Sequence, residues 1–542
     1  MRLRQLWLGD YRTLQDVSIT FPDPREMDIG FPLPPVHLLL GVNGTGKTAI
    51  LRALAGVFAA LDERRAPGVP FELRYQVARG QEPVEVEIRG DGRGALSNLS
   101  FRVIRANEPL QTLDPSDWQT YLPSQVLVYT SGGLDEWRFL LANGYEAATG
   151  EEERSELLSQ AVKAGSEIQE VTGVRDLLDF AATRPVMEEI IPSRTRLFTD
   201  EDLELALLTT LAIDDEPDAG SHRNEIYFRA GVKRLRAFAL RLEPLANRTQ
   251  EGVILEQVDL LIRSLLGERL DEDADLKRRL NELLAWTPPV LPAKLLDRVR
   301  QLAELAAHRH RNPDGSYHLF FEMNADTYLA MGGSQGLFAT PKQLFDFLAD
   351  LRGRGVLTQV DMILEKTDLA EPVLSRYLSD GEREFLGRMA LLLLMRQENT
   401  LYLLDEPETH FNDVWKRELV DLLDATLAGF ESTVLLSTHS SIIVSDVAHP
   451  QLVLLVKDGE GHTQIVDIQT PTLGGDPSDI VVNILGAPRA GGELNAEKLT
   501  AALERGERQE LEALLKYVSP GYWRFRIRNR LESLDASSDP TA

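Results

Sequence analysis

The sequence predicts an α/β fold: a sheet of short buried strands with a β-rich N-terminal lobe, a large, mainly helical insertion and a helical C-terminal tail. Three observations carry this reading. The apolar run Val36-His37-Leu38-Leu39-Leu40 has the length of a buried strand and leads straight into a glycine-rich turn, after which residues 47–54 read as a helix. Later apolar runs at 126–129, 401–404 and 433–436 have the same length and end in glycine, polar or acidic residues. Between these, residues 134–310 carry helical patterning interrupted by Pro185, Pro192, Pro244, Pro288, Pro289 and Pro292. The expected divisions are an N-terminal lobe with the glycine-rich loop (1–133), the helical insertion (134–315), a second α/β lobe (316–485) and a helical tail (486–542) whose last dozen residues are expected to be disordered.

Composition bounds the class. A chain of 542 residues accommodates two to four subdomains. No apolar run is long enough to span a membrane, and the first residues lack the apolar core of a secretory signal. The absence of cysteine excludes disulfides, thiolate metal sites and a cysteine nucleophile, and makes a reducing cytoplasm the expected location. The net charge of −27 disfavours a general nucleic-acid coat, leaving only local basic grooves for that purpose. Acidic clusters at 151–153, 200–202, 214–216 and 271–273 read as a solvated helical face or as a docking surface for a basic partner.

The motifs carry the chemistry. Gly41-Val42-Asn43-Gly44-Thr45-Gly46-Lys47-Thr48 fits G-x-x-x-x-G-K-[ST]. Its glycines let successive backbone N–H groups converge on phosphate oxygens, and the following helix points its positive end at the same place. Asn43, Gly44, Thr45, Gly46, Lys47 and Thr48 are therefore candidate nucleotide contacts, with Lys47 reaching the β and γ phosphates and the Thr48 hydroxyl holding Mg²⁺. Residues 401–406 form an apolar strand ending in Asp405 and Glu406; Asp405 is expected to hold Mg²⁺ and Glu406 to act as general base toward water. His439, at the end of the strand 433–438, is a candidate to contact the γ-phosphate or orient that water. Ser379 and Glu382 have the spacing of a capping box ahead of an apolar helix. The start of that helix either is only a well-capped end or also receives a phosphate.

In this order, these four elements make the sequence resemble the ABC-type ATPase heads of SMC, RecF and OLD-like proteins: a P-loop NTPase sheet with an N-terminal β lobe. Leu378-Ser379-Asp380-Gly381-Glu382 resembles the ABC signature, Asp405-Glu406 the Walker B pair, His439 the switch histidine, and residues 408–412 the D-loop. Residues 8–16 resemble the first hairpin of RecF-like heads. The resemblance implies ATP and Mg²⁺ as ligands and ATP hydrolysis as the activity. It also implies a head-to-tail homodimer, or a higher even-numbered oligomer, in which Ser379, Gly381 and Glu382 of one copy face the nucleotide on Lys47 of the other. Gln125 is the candidate for the metal-contacting Q-loop glutamine; the alternative is a surface glutamine.

About 330 residues separate Thr48 from Leu378, more than a transporter subunit places there, and no sustained heptad suggests a coiled-coil arm. This intermediate, proline-broken insertion resembles those of prokaryotic antiphage ATPases. Residues 123–132, 378–383 and 406–412 resemble the PtuA group of Septu-type ATPases, which also serve some retron defence systems. That likeness implies a sensor ATPase working with a separately encoded effector, an HNH-type nuclease or another toxin, with no nuclease activity in this chain and no membrane partner. A RecF-like repair ATPase is the rival expectation, and a transporter nucleotide-binding subunit a weaker one. His308-Arg309-His310 lacks an acid or cysteine at ligand spacing and reads as a helix end or loop. In the tail, residues 522–530 interleave aromatic and basic side chains, which either pack on the head or contact DNA or RNA.

Overall fold

The computed structural model describes residues 1–143, 193–213, 227–242, 293–486 and 493–538, apart from short gaps at 28, 80–81, 106–110, 228, 314–315, 334, 354–355 and 520. A seven-stranded central sheet runs in the order Thr463–Val466, Leu452–Lys457, Val36–Leu40, Ser432–Thr438, Thr400–Asp405, Gln125–Thr130, Thr195–Phe198. All its pairings are parallel except the first, an antiparallel edge pair. Parallel strands covered on both faces favour apolar residues along their length, which is why the inner strands read as largely apolar runs. Their side chains alternate between two cores. Leu38, Leu40, Leu127, Tyr129, Tyr402, Leu404, Val434 and Leu436 face one core. Leu39, Val126, Val128, Leu401, Leu403 and Leu435 face the other.

The second of these cores holds the helix Lys47–Asp62 and the N-terminal lobe. That lobe is a six-stranded antiparallel sheet in the order Val17–Thr20, Arg2–Leu8, Pro70–Arg79, Glu82–Asp91, Ser100–Ile104, Gln111–Thr112. The first core holds the helices Asp200–Ala212 and Asp380–Leu394 and one face of a five-stranded sheet. The order there is His308–Arg311, Tyr317–Glu322, Val232–Leu242, Leu357–Lys366, Val373–Leu374. Burying one Leu or Phe contributes about 1.5–3 kcal/mol, so both layers hold the sheet edge that carries the motifs firmly in place.

The segment 134–315 departs from the expected helical insertion. Its described residues include the helices Leu134–Asn143, Asp200–Ala212 and Ala293–Leu305, but also three strands. Thr195–Phe198 closes the central sheet against Gln125–Thr130, and Val232–Leu242 lies at the centre of the second sheet. A boundary at 315 would cut that second sheet between His308–Arg311 and Tyr317–Glu322. Residues 232–242 are rich in Leu, Ala and Arg, which favour helix; pairing on both edges overrides that local preference. His308 and His310 sit in an edge strand, neither helix end nor loop, and no cluster of three or more metal-ligating side chains occurs among the described residues.

The tail is helical, as expected: Glu493–Arg505, Arg508–Leu514 and Tyr522–Ser538 share their own small core of Ala502, Leu503, Leu511 and Ile527. The last helix continues to Ser538, through part of the stretch expected to be disordered. No described helix is long and apolar enough to cross a membrane.

Candidate functional site

Parallel order brings the carboxyl ends of Val36–Leu40, Ser432–Thr438, Thr400–Asp405 and Gln125–Thr130 to one edge, where ligands of open α/β sheets bind. The glycine loop 41–46 leaves that edge and enters the helix Lys47–Asp62 at Gly46. Two of its glycines are required by space and backbone. Gly41 (φ 147°) packs where a Cβ would stand 2.5 Å from Leu455 O, and Gly46 (φ 99°) where a Cβ would stand 2.8 Å from Leu14 Cδ2. The hairpin at Tyr11–Leu14 therefore braces the loop from below, helped by Thr463 Oγ1, which donates to Thr45 O at 2.8 Å. Asn43 and Gly44 stand exposed at the loop's tip, whereas Thr45 and Lys47 are buried.

Lys47 Nζ donates to Gly41 O at 2.8 Å, folded back on its own loop. Burial lowers its pKa, against the opposing pull of Glu406, Asp405 and Glu408. Thr48 Oγ1 donates to Asp405 at 2.9 Å and 3.0 Å from the two carboxylate oxygens. Ser437 Oγ donates to the same carboxylate at 2.6 Å and Thr130 Oγ1 at 3.3 Å. Burial raises Asp405 above the usual carboxylate range, opposed by the Ser437 and Thr48 bonds. This carboxylate is ringed by hydroxyls, and among the described residues no cation bonds to it. A hard divalent cation with oxygen ligands, Mg²⁺, fits such a donor set.

Glu406 adopts a positive φ of 49°, a conformation that costs a non-glycine residue energy and recurs at functional sites. Its N–H is held by both Ser437 O and Ser437 Oγ at 3.1 Å. Its carboxylate Oε1 lies 3.5 Å from His439 Nδ1, and His439 is 61% exposed. Behind them Glu408 is buried and accepts from the Thr438 hydroxyl, and its Oε2 has no hydrogen-bond partner among the described residues. Burial raises its pKa, against the Thr438 bond.

Ser379 caps the helix Asp380–Leu394, and the capping box is complete. Ser379 N–H donates to Glu382 Oε2 at 2.9 Å and Glu382 N–H to Ser379 Oγ at 3.3 Å. The outer carboxylate oxygen of Glu382 is bound by Lys366. Burial acts to raise the Glu382 pKa, but Lys366 and Ser379 outweigh it and the net shift is downward. Glu382 is thus turned toward its own chain. Gly381 packs so closely on the loop 408–412 that a Cβ would stand 2.7 Å from His410 O. Among the described residues, no hydrogen bond or ion pair joins 379–382 to the loop 41–48.

Gln125 does not reach the edge where Thr48 and Asp405 meet. It lies at the amino end of its strand, paired with Thr400, while Thr130 at the other end pairs with Asp405. Five residues of strand place it roughly 17 Å from the acids, and its Oε1 accepts from Gln397 Nε2 at 2.9 Å. It cannot contact a metal held by Thr48 and Asp405. Thr130 and Ser437, which do touch Asp405, escaped sequence reasoning, although both end apolar strands at the functional edge. Arg388 escaped it as well. This buried residue of the Asp380 helix bonds to Pro407 O, to Thr409 O at 3.1 Å and to Glu384 at 2.6 Å. It also lies 4.8 Å from the Tyr129 ring centre and 5.0 Å from that of Phe411.

Glycine loop, hydroxyl-ringed aspartate and neighbouring glutamate on a parallel sheet edge make this a P-loop nucleotide-hydrolase arrangement. Comparison with known proteins agrees: residues 193–445, just under half of the chain, match the family described as "AAA domain, putative AbiEii toxin, Type IV TA system". Residues 193–445 are thus similar to an AAA-domain family. The molybdenum import ATP-binding protein ModC of Saccharophagus degradans is 30% identical over 120 residues, 21% of this chain. The chain spans about a third (32%) of the length of that curated relative. Among solved structures, the SMC head domain from Thermotoga maritima is 11% identical with a TM-score of 0.32, covering 87% of this chain and 100% of its own. The Smc head with an extended coiled coil, bound to the C-terminal domain of ScpA, from Pyrococcus furiosus is 12% identical with a TM-score of 0.32, covering 86% and 96%.

Proposed function

We propose that this chain is an ATP-hydrolysing head whose nucleotide site is completed by a second copy, serving as the sensor ATPase of a prokaryotic defence system with a separately encoded effector. One observation carries the core of this reading. Thr48 and Asp405 meet at the sheet edge, with Glu406 and His439 beside them, while the Ser379 helix start makes no bond to that chain's own loop. The backbone N–H groups of 43–48 would take the phosphates. Lys47 would exchange the Gly41 carbonyl for phosphate oxygen. Mg²⁺ between Thr48 and Asp405 would supply charge neutralisation to the triphosphate. Glu406 would accept the proton of the attacking water, and His439 would orient it.

The exposed apolar residues Val42, Tyr377 and Val414 support the two-copy arrangement. They sit in the glycine loop, just before the Ser379 helix and just after Asn412, a placement suited to an interface. The defence role draws on the toxin–antitoxin wording of the matched family and on the resemblance of 123–132, 378–383 and 406–412 to Septu-type ATPases.

Glu406→Gln tests the reading. It should bind ATP, lose hydrolysis by about 10²–10⁴-fold and accumulate as an ATP-bound dimer in light scattering, whereas Lys47→Ala should lose nucleotide binding. Wild-type phosphate release by Glu406→Gln would refute the assignment of the base. A monomer at every ATP concentration would refute the shared site.

A further inference from the structure

The tail holds a stretch whose charge opposes the net charge of the chain. Residues 516–530 contain Lys516, Arg524, Arg526, Arg528 and Arg530 and no acid, in a chain of net charge −27. Arginines just upstream are paired, Arg505 with Glu510 at 2.6 Å and Arg508 with Glu512 at 2.8 Å. None of the five cations of 516–530 forms an ion pair among the described residues. Arg524 donates to Val518 O at 2.7 Å. Arg526 donates to Tyr522 Oη at 2.7 Å, its guanidinium 5.6 Å from that ring's centre.

The helix Tyr522–Ser538 divides its faces. Ile527, with Trp523, Leu531 and Leu534 at three- and four-residue spacings along the helix, packs onto the tail's own core. The opposite face carries Tyr522 and Phe525, each 61% exposed, together with exposed Arg526, Arg528 and Asn529. Tyr517, in the turn after the preceding helix, is 87% exposed. Exposed aromatic rings interleaved with unneutralised guanidinium groups match two needs of one ligand: flat apolar bases and a chain of phosphates. Tyr522 and Phe525 stand about 4.5 Å apart along the helix axis, a spacing suited to neighbouring unpaired bases. The acidic remainder of the chain repels a duplex laid broadly across it, while a single strand is narrow enough for one helix face.

We propose that the outward face of the helix Tyr522–Ser538, with Tyr517, binds single-stranded nucleic acid, the rings stacking on bases and Arg526 and Arg528 contacting phosphates. The test uses the full chain and fluorescence anisotropy with a labelled oligothymidine, its ribo counterpart and a blunt duplex. Both single strands, or one of them, should bind, and bind more tightly than the duplex. Tyr522→Ala should weaken binding by about fivefold or more, and so should Phe525→Leu, which keeps apolar area but removes the aromatic face. Arg526→Ala with Arg528→Ala should lower the slope of log affinity against log salt by about 1.4. ATP turnover without nucleic acid should match wild type in every variant, showing that the head stays folded and that a failure here is separate from any failure of the ATPase reading. No binding of either single strand at low salt overturns the proposal. So do equal affinities for duplex and single strand, wild-type binding by the ring and arginine variants, or occupation of this face by an acidic protein instead.

Discussion

Arg388→Met asks whether the helix Asp380–Leu394 and the loop 406–412 are one mechanical unit. Methionine nearly fills the arginine's volume, so the change isolates the guanidinium. Its removal leaves the Pro407 and Thr409 carbonyls without their donor and Glu384 without its partner. Each stranded buried carbonyl costs about 1–3 kcal/mol. Relief from holding a buried arginine offsets part of this, and a thioether retains some contact with the Tyr129 and Phe411 rings. Breaking a buried pair by removing one partner costs about 3–5 kcal/mol, so about 4 kcal/mol is the expected loss. Urea unfolding followed by tryptophan fluorescence would read it. Adding Glu384→Gln should recover part of the loss, giving a coupling of about 1 kcal/mol or more in the double-mutant cycle. Because Arg388 holds the backbone immediately after Glu406, the turnover rate should fall more than ATP affinity. A loss below about 1 kcal/mol with no measurable coupling would show that the guanidinium is merely accommodated there.

Two further predictions test other contacts. Gly381→Ala places a Cβ 2.7 Å from His410 O, so either the helix start or the loop 408–412 must move. Overpacking of this kind costs about 1–3 kcal/mol, and turnover should fall about tenfold or more while ATP binding to the dilute chain stays near wild type. His37, buried against Phe21 at a ring separation of 5.3 Å, has its pKa lowered by burial from 6.5 to about 4. A depressed folded-state value means stability is present above pH 6.5 and lost as pH falls from there through about 4. His37→Phe should remove about 2–3 kcal/mol of the stability difference between pH 7.5 and 4.5, read as converging urea midpoints; parallel pH profiles for the two proteins would contradict it.

The parts of the site that were legible in the sequence are those the chain writes locally. Loop 41–48, the Asp405-Glu406 pair at a strand end and the Ser379–Glu382 box each lie within a few residues, and backbone geometry then fixes their shape. Contacts made across the fold left no such trace. Lys366 reaches Glu382 from a strand of the second sheet, and Arg388 bonds to carbonyls nineteen and twenty-one residues away. Gln125 misled because an apolar strand read in isolation does not announce which end faces the ligand. Once the strands are known to run parallel, the residue after the run, Thr130, is the one at the functional edge. The second sheet was hidden because 232–242 has a helix-favouring composition, and only its partners at 317–322 and 357–366 make it a strand.

The partners of Val36–Leu40 have a consequence for how the protein is made. Both neighbours of that strand, Ser432–Thr438 and Leu452–Lys457, are encoded roughly 400 residues after it. At roughly 5–20 residues per second, a ribosome needs on the order of 20–80 s to deliver them. Throughout that interval the glycine loop hangs from an unpaired, largely apolar segment. A nascent chain therefore has no nucleotide pocket until translation is well past its midpoint, and shielding of that segment by a chaperone would determine how much of the protein matures.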